Sequence, residues 1–216
     1  MTRLAVFDCD GTLVDGQAEV CAAMEAAFVS CGLPPPPHHA VRRIVGLSLP
    51  QAMARLLPGA DDETVQALDT AYRDAFRARR ASGALTEPLY AGIADLLARL
   101  KGSGWELAVA TGKSDRGLSH CLAVHGIGGL FASLQTADRH PSKPHPAMLL
   151  AAIADCGAAP GEAVMIGDTA YDIAMARAAD VRAIGVAWGY HETAELIAAG
   201  AEAVARDPAH LAELLA

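Results

Sequence analysis

Arg3-Leu4-Ala5-Val6-Phe7-Asp8-Cys9-Asp10-Gly11-Thr12-Leu13 opens the chain with an apolar stretch that breaks off into two aspartates and a glycine. The apolar part, Arg3 to Phe7, is too short for a helix and reads as a buried strand, and Gly11 lets the chain turn sharply out of it. In extended backbone, residues two apart face the same side, so Asp8 and Asp10 point at one place while Cys9 points away. The carboxyl end of a parallel strand is where open α/β sheets bind ligands. An Asp-rich turn could equally hydrogen-bond its own backbone, so the rest of the chain has to decide.

From about Gln17 to Thr86 the texture is Ala- and Arg-rich helix, broken by the run Pro34 to Pro37 and by the Leu57-Pro58-Gly59 turn. Asp61 or Asp62 is placed to cap the longest of these helices, which runs towards Arg80. No strand is expected there. After Pro88, helix and strand alternate. Helix Ile93 to Leu100 leads to strand Glu106 to Ala110, a helix opened by Ser114 and strand Ser133 to Thr136. Helix Ala147 to Ala154, strand Ala163 to Ile166, helix Asp172 to Ala179, strand Arg182 to Val186 and helix Ala194 to Ala198 complete the series. Such alternation means parallel strands joined by crossover helices. The expected fold class is α/β, a doubly wound, Rossmann-like parallel sheet with an inserted all-helical cap domain. Residues 1–15 and 88–216 would form the catalytic core and residues 16–87 the cap.

Composition narrows the functional classes. With 216 residues, 52% hydrophobic and 19% charged, the chain can bury one core and a smaller appended one. No run reaches the roughly 18 apolar residues of a membrane span, and the apolar start is too short for a signal peptide, so a cytoplasmic location is expected. Five cysteines, at 9, 21, 31, 121 and 156, contain no C-x-x-C pair and suggest neither a disulfide framework nor a zinc cluster. A net charge of -8 without a basic run argues against nucleic acid and anionic membrane as partners. Nothing in the sequence bears on oligomeric state.

Three more stretches carry chemistry. In Val109-Ala110-Thr111-Gly112-Lys113-Ser114, Gly-Lys-Ser invites a P-loop reading, but the glycine that pattern needs five positions earlier is Leu107. What remains is the Thr111 hydroxyl and exposed backbone donors around Gly112, suited to phosphate oxygens, with Lys113 expected as a solvated neighbour. In Pro141-Ser142-Lys143-Pro144-His145-Pro146, prolines hold Lys143 outside regular helix; taken alone, a surface lysine is the commoner reading, and His145 is expected to be structural. Met165-Ile166-Gly167-Asp168-Thr169-Ala170-Tyr171-Asp172 sets Asp168 at a strand end and Asp172 in the first turn of a helix, where capping alone would account for it. A doubly wound sheet nevertheless brings Asp8, Asp10, Asp168 and Asp172 side by side.

Taken together, these motifs make the chain resemble the haloacid dehalogenase superfamily, in particular its phosphoglycolate phosphatase-like members. Asp8 to Leu13, Thr111, Lys143, and Gly167-Asp168 with Asp172 match the four family motifs in order, and the helical insert matches the family's cap in position and size. One departure is Gly112, where many relatives carry asparagine, which puts a side-chain contact to phosphate in doubt. The resemblance implies a phosphoric monoester hydrolase acting through an aspartyl phosphate on Asp8, with Asp10 as general acid and base. It implies Mg²⁺ held by the Asp8 carboxylate, the Asp10 backbone carbonyl and the Asp168 carboxylate, with Asp172 orienting them or Lys143. Thr111, Gly112 and Lys143 would bind the phosphoryl group. An aspartate at position 10 sets the chain apart from the dehalogenase members. The charge balance agrees, since four carboxylates against one ammonium need a cation before a phosphate can approach.

A small phosphorylated metabolite is the expected partner, because a cap hinging near Val14 to Gln17 and Thr86 to Tyr90 would leave little room. Arg42, Arg43, Gly46, Leu47 and Ser48 are the candidate leaving-group contacts, while Trp188 and His191 are expected at the core edge. A sugar phosphomutase with the same motifs is the alternative, and an inactive binding protein on this scaffold the more distant one.

Overall fold

The computed structural model, which describes residues 2–216, sets β1 (Arg3–Phe7) in the middle of a six-stranded parallel sheet. The others are β2 (Trp105–Thr111), β3 (Ser133–Thr136), β4 (Ala163–Gly167), β5 (Arg182–Val186) and β6 (Ala203–Ala205), in the order β3-β2-β1-β4-β5-β6. Every neighbouring pair is parallel. The central strands read as near-continuous apolar runs because both faces are covered. Ala5 and Phe7 pack into one hydrophobic cluster, Leu4 and Val6 into the other. The strand order reverses between β1 and β4, the switch point at which a doubly wound sheet opens a crevice. Phe7 pairs with Val109 on β2 and Ile166 on β4, which brings Asp8, Thr111 and Asp168 to the same end of the sheet.

Between β1 and the next core helix run α1 (Gln17–Ser30), α2 (His38–Arg42), α3 (Leu49–Leu56) and α4 (Asp62–Ala81). They bury a cluster of their own, including Val20, Met24, Phe28, Val41, Met53 and Leu68. Asp61 caps α4, its carboxylate accepting from the Thr64 amide at 2.8 Å. The chain leaves and re-enters the core as two adjacent segments joined by an isolated antiparallel bridge at Val14 and Leu89: the Asp15 amide donates to the Pro88 carbonyl at 2.8 Å and the Tyr90 amide to the Leu13 carbonyl at 3.0 Å.

In the remainder, α5 (Ile93–Gly102) and α6 (Asp115–Val124) cover one face of the sheet, and α7 (Ala147–Asp155), α8 (Ala170–Ala178) and α9 (Thr193–Ala198) the other. α10 (Pro208–Leu214) returns to the first face beside α5. One expectation needs correction. α8 begins at Ala170 and not at Asp172, because Thr169 is its N-cap and Asp172 closes a reciprocal capping box with it. β6 and α10 were not anticipated: a three-residue strand offers no period to read. No described helix is long and apolar enough to cross a membrane, and all five cysteines are free.

Candidate active site

Asp8 leaves β1 with its amide still bonded to the Ile166 carbonyl at 2.9 Å, so its side chain is fixed by the sheet. It is fully buried. Its Oδ1 accepts from Lys143 Nζ at 2.7 Å, and the same ammonium donates to Asp172 Oδ1 at 2.6 Å. Asp172 Oδ2 accepts from the Thr169 amide and hydroxyl at 3.0 and 2.7 Å, so both Asp172 oxygens are occupied. Asp168 accepts from the Thr12 hydroxyl at 2.9 Å and from the Tyr190 amide at 2.9 Å. Asp8 Oδ2 is buried and has no hydrogen-bond partner.

Burial dominates the electrostatics. It pushes the Asp8 carboxyl up to about 7 despite Lys143, with Asp172 adding to the rise. Asp168 is raised by burial first and then by Asp8 and Asp172. Burial alone would depress the Lys143 ammonium, but Asp172 and Asp8 together outweigh it and hold the group above the usual lysine range. Oxygens of Asp8, Asp168 and Asp172 lie within 4.8 Å of one another. An all-oxygen set with one bare buried carboxylate oxygen fits a hard divalent cation such as Mg²⁺.

Thr111 ends β2 buried, and its Oγ1 accepts from the Lys113 amide at 3.2 Å, leaving the hydroxyl proton to donate elsewhere. Lys113 is the main correction to the sequence reading. It is not a solvated neighbour: its Nζ donates to Asp10 Oδ1 at 2.6 Å and to Glu87 Oε1 at 2.7 Å, with the side chain about 10% exposed. Burial lowers its ammonium and the two carboxylates more than restore it. Glu87 belongs to the returning linker and was not foreseen as a site residue.

At Gly112 a Cβ would stand 2.6 and 2.8 Å from the Gly46 and Leu47 carbonyl oxygens. The glycine admits the loop between α2 and α3, and the side chain of an asparagine would collide there. Gly11 has φ +87°, and a Cβ on it would meet Asp168 Oδ2 at 2.2 Å, so only glycine serves at that turn.

A cavity of about 680 Å³ lies over this end of the sheet, with Asp8, Asp10, Thr111 and Gly112 in its wall. It is larger than the expected close fit. Of the candidate leaving-group contacts, Gly46, Leu47 and Ser48 line it and Arg42 and Arg43 do not. Arg43 instead pairs with Glu195 on α9, and Arg42 is exposed. Further contacts join the helical insert to the core. The Ser48 amide donates to Ser142 Oγ at 2.7 Å, and Arg55 donates to the Tyr171 hydroxyl at 2.8 Å, which donates to the Arg43 carbonyl at 3.0 Å. Trp188 packs on the core and donates to the Thr12 carbonyl at 3.0 Å. His191 receives the Ala170 amide at 3.2 Å, and His145 that of Ala147 at 3.2 Å. The turn between Trp188 and His191 also delivers the Tyr190 amide to Asp168.

Residues 2–180 match the family model of the haloacid dehalogenase-like hydrolases. The chain is 38% identical over 205 residues to "Probable phosphatase IndB" of Dickeya dadantii, covering 92% of this chain and 87% of that protein. It is 35% identical over 202 residues to phosphoglycolate phosphatase 1 of Pseudomonas aeruginosa, covering 88% of this chain and 71% of that one. Among solved structures, "a predicted phosphatase from Clostridium acetobutylicum" superposes with TM-score 0.90 at 25% identity, covering 100% of this chain and 98% of the other.

Proposed function

As this chain belongs to the haloacid dehalogenase-like hydrolase family and is a phosphatase within it, we propose that it hydrolyses a small, phosphoglycolate-like phosphomonoester through a phosphoryl group carried on Asp8. The observation that carries this reading is the pairing at Asp8: one oxygen tied to Lys143, the other bare and buried, with Asp10 on the same cavity wall. An Asp8 oxygen forms a bond to phosphorus as the ester P–O bond breaks in line with it. Asp10 gives its proton to the departing alkoxide. Water then attacks the phosphorus of the acyl phosphate, Asp10 takes the water's proton, and the bond from phosphorus to Asp8 breaks to release inorganic phosphate. The Thr111 hydroxyl, the amides around Gly112 and Lys143 bind the equatorial oxygens, on which charge develops.

The Asp8 and Asp168 carboxylates and the Asp10 backbone carbonyl would hold Mg²⁺, with Asp172 fixing Lys143 and the first turn of α8 behind them. When bound, Mg²⁺ supplies the positive charge that lets an anionic ester enter an acidic pocket. Residues 16–87 act as a cap over a core of residues 1–15 and 88–216, closing on the linkers near Val14 to Gln17 and Thr86 to Tyr90.

Release of inorganic phosphate from phosphoglycolate and p-nitrophenyl phosphate, with and without a chelator, tests this. Asp8→Asn should fold normally and lose roughly 10⁴-fold or more in kcat, since an amide cannot carry the phosphoryl group; wild-type activity should vanish on chelation and return with Mg²⁺. Substantial turnover by Asp8→Asn would remove Asp8 as nucleophile. Isomerised sugar phosphate in place of free phosphate would make the protein a mutase.

A further inference from the structure

Helix α4 lines the cavity with Tyr72, Arg73, Phe76, Arg77 and Arg80, residues three and four apart that share one helix face. The three arginines differ in how their charge is met. Arg73 donates to Asp69 at 2.9 Å and stands 3.7 Å from Asp138, and Arg77 donates to Asp74 at 2.6 Å. Arg80 forms no ion pair among the described residues, and its Nε is buried without an acceptor. A buried guanidinium donor left unpaired is costly and uncommon. On the core side the two lysines are already matched, Lys113 by Asp10 and Glu87 and Lys143 by Asp8 and Asp172. Arg116, also on the cavity wall, is exposed to water. The part-buried guanidinium that the cavity leaves without a carboxylate therefore belongs to α4, in the part of the chain that would face the leaving group.

Size points the same way. About 680 Å³ falls within the range that encloses a drug-sized ligand, well beyond what a two-carbon phosphoester fills. We propose that Arg80 determines specificity by binding a second anionic group of the substrate, a carboxylate or a second phosphate, carried on a body of at least sugar size. This rests on the phosphatase reading above and departs from it in one respect: the ester resembles phosphoglycolate in carrying a second anion but is larger.

The test compares kcat/KM within pairs that differ only in the second anion. 6-Phosphogluconate is set against sorbitol 6-phosphate and fructose 1,6-bisphosphate against fructose 6-phosphate, with phosphoglycolate and p-nitrophenyl phosphate alongside. Wild type should favour the anionic member of at least one pair by about 10- to 100-fold, the range of a hydrogen-bonded charge, and should turn it over better than phosphoglycolate. Which pair responds tells carboxylate from phosphate. Arg80→Gln should bring that ratio close to one, and Arg80→Lys should keep part of it. A folded Arg80→Gln with the wild-type ratio overturns the proposal, as does a wild type without preference in either pair or with phosphoglycolate as its best substrate. If Arg80→Gln does not fold, the wild-type ratios and Arg80→Lys decide on the same terms. A wild type that hydrolyses p-nitrophenyl phosphate but fails these comparisons loses only the subsite. One inert towards every ester loses the phosphatase reading, and the subsite with it.

Discussion

Lys113 shows how a single side chain escapes a reading along the chain. Its neighbours Gly112 and Ser114 pointed to a phosphate loop and then to a solvated lysine, yet its partners are Asp10, 103 positions away, and Glu87, 26 positions away. Only the fold creates that juxtaposition. The same holds for Thr12 and Tyr190 on Asp168, since a hydroxyl and a backbone amide leave no mark that distinguishes them from any others. Asp8, Asp10 and Asp168 were legible because they follow strands whose ends the alternation predicts to converge, whereas Lys143, in a loop, and Asp172, in the first turn of α8, are ordinary taken alone and were legible only through the joint match to the four family motifs. In the proposed mechanism Lys113 is a positioning residue that holds Asp10 by one oxygen. Lys113→Met should therefore lower kcat roughly 10-fold more on an alkyl phosphate than on p-nitrophenyl phosphate, because only the poor leaving group needs the proton from Asp10. Equal losses on both esters would make Lys113 a residue of phosphate binding or folding instead.

At the scale of elements, the helical insert is fastened by one buried carboxylate. Glu19, in the first turn of α1, is 2% exposed and accepts from the Arg79 guanidinium near the end of α4 and from the Thr86 hydroxyl at 3.1 Å. Arg79 lowers the Glu19 carboxyl below the usual range, against the opposing effect of burial, and Thr86 lowers it further. A carboxyl lowered on folding contributes stability above its ordinary value of 4.5, and that contribution is lost as pH falls through the lower folded value. Arg79→Ala should lower the urea midpoint at neutral pH by leaving Glu19 unpaired, and the gap from wild type should shrink as the pH drops below the ordinary carboxyl value of 4.5. Urea titrations at pH 7 and pH 3.5 would measure it, and a gap of constant size would show that the ion pair is not its source. The helices themselves were legible from apolar periodicity and from Asp61 as a cap. The central strands were legible because burial on both faces makes them continuous apolar runs. β6 was not, and the start of α8 was misplaced by two residues because the capping box lies upstream of the aspartate that completes it.

At the scale of the whole molecule, the insert lies against the core, and the contacts between them differ greatly in strength. Arg43 and Glu195 form the most conspicuous one, but their side chains are 50% and 32% exposed, and exposed pairs contribute about 1 kcal/mol at most. Steric fit at Gly112 has the larger leverage. There two backbone carbonyls, Gly46 O and Leu47 O, occupy the space of a missing side chain, and backbone in a packed loop cannot rotate aside as a surface side chain can. Adding one methyl group must push the loop off the core, although the amide of residue 112 stays available to phosphate. On the closing-cap account, Gly112→Ala should therefore weaken closure without removing a phosphate ligand. KM for a small ester should rise roughly 10-fold or more, as expected when about 1.4 kcal/mol or more of closing free energy is lost. Small-angle scattering should show a larger radius of gyration than wild type, and Arg43→Ala should do much less on both measures. If Gly112→Ala keeps both the wild-type KM and the wild-type scattering profile, the seat at Gly112 does not hold the two parts together, and the account of closure has to be built on other contacts.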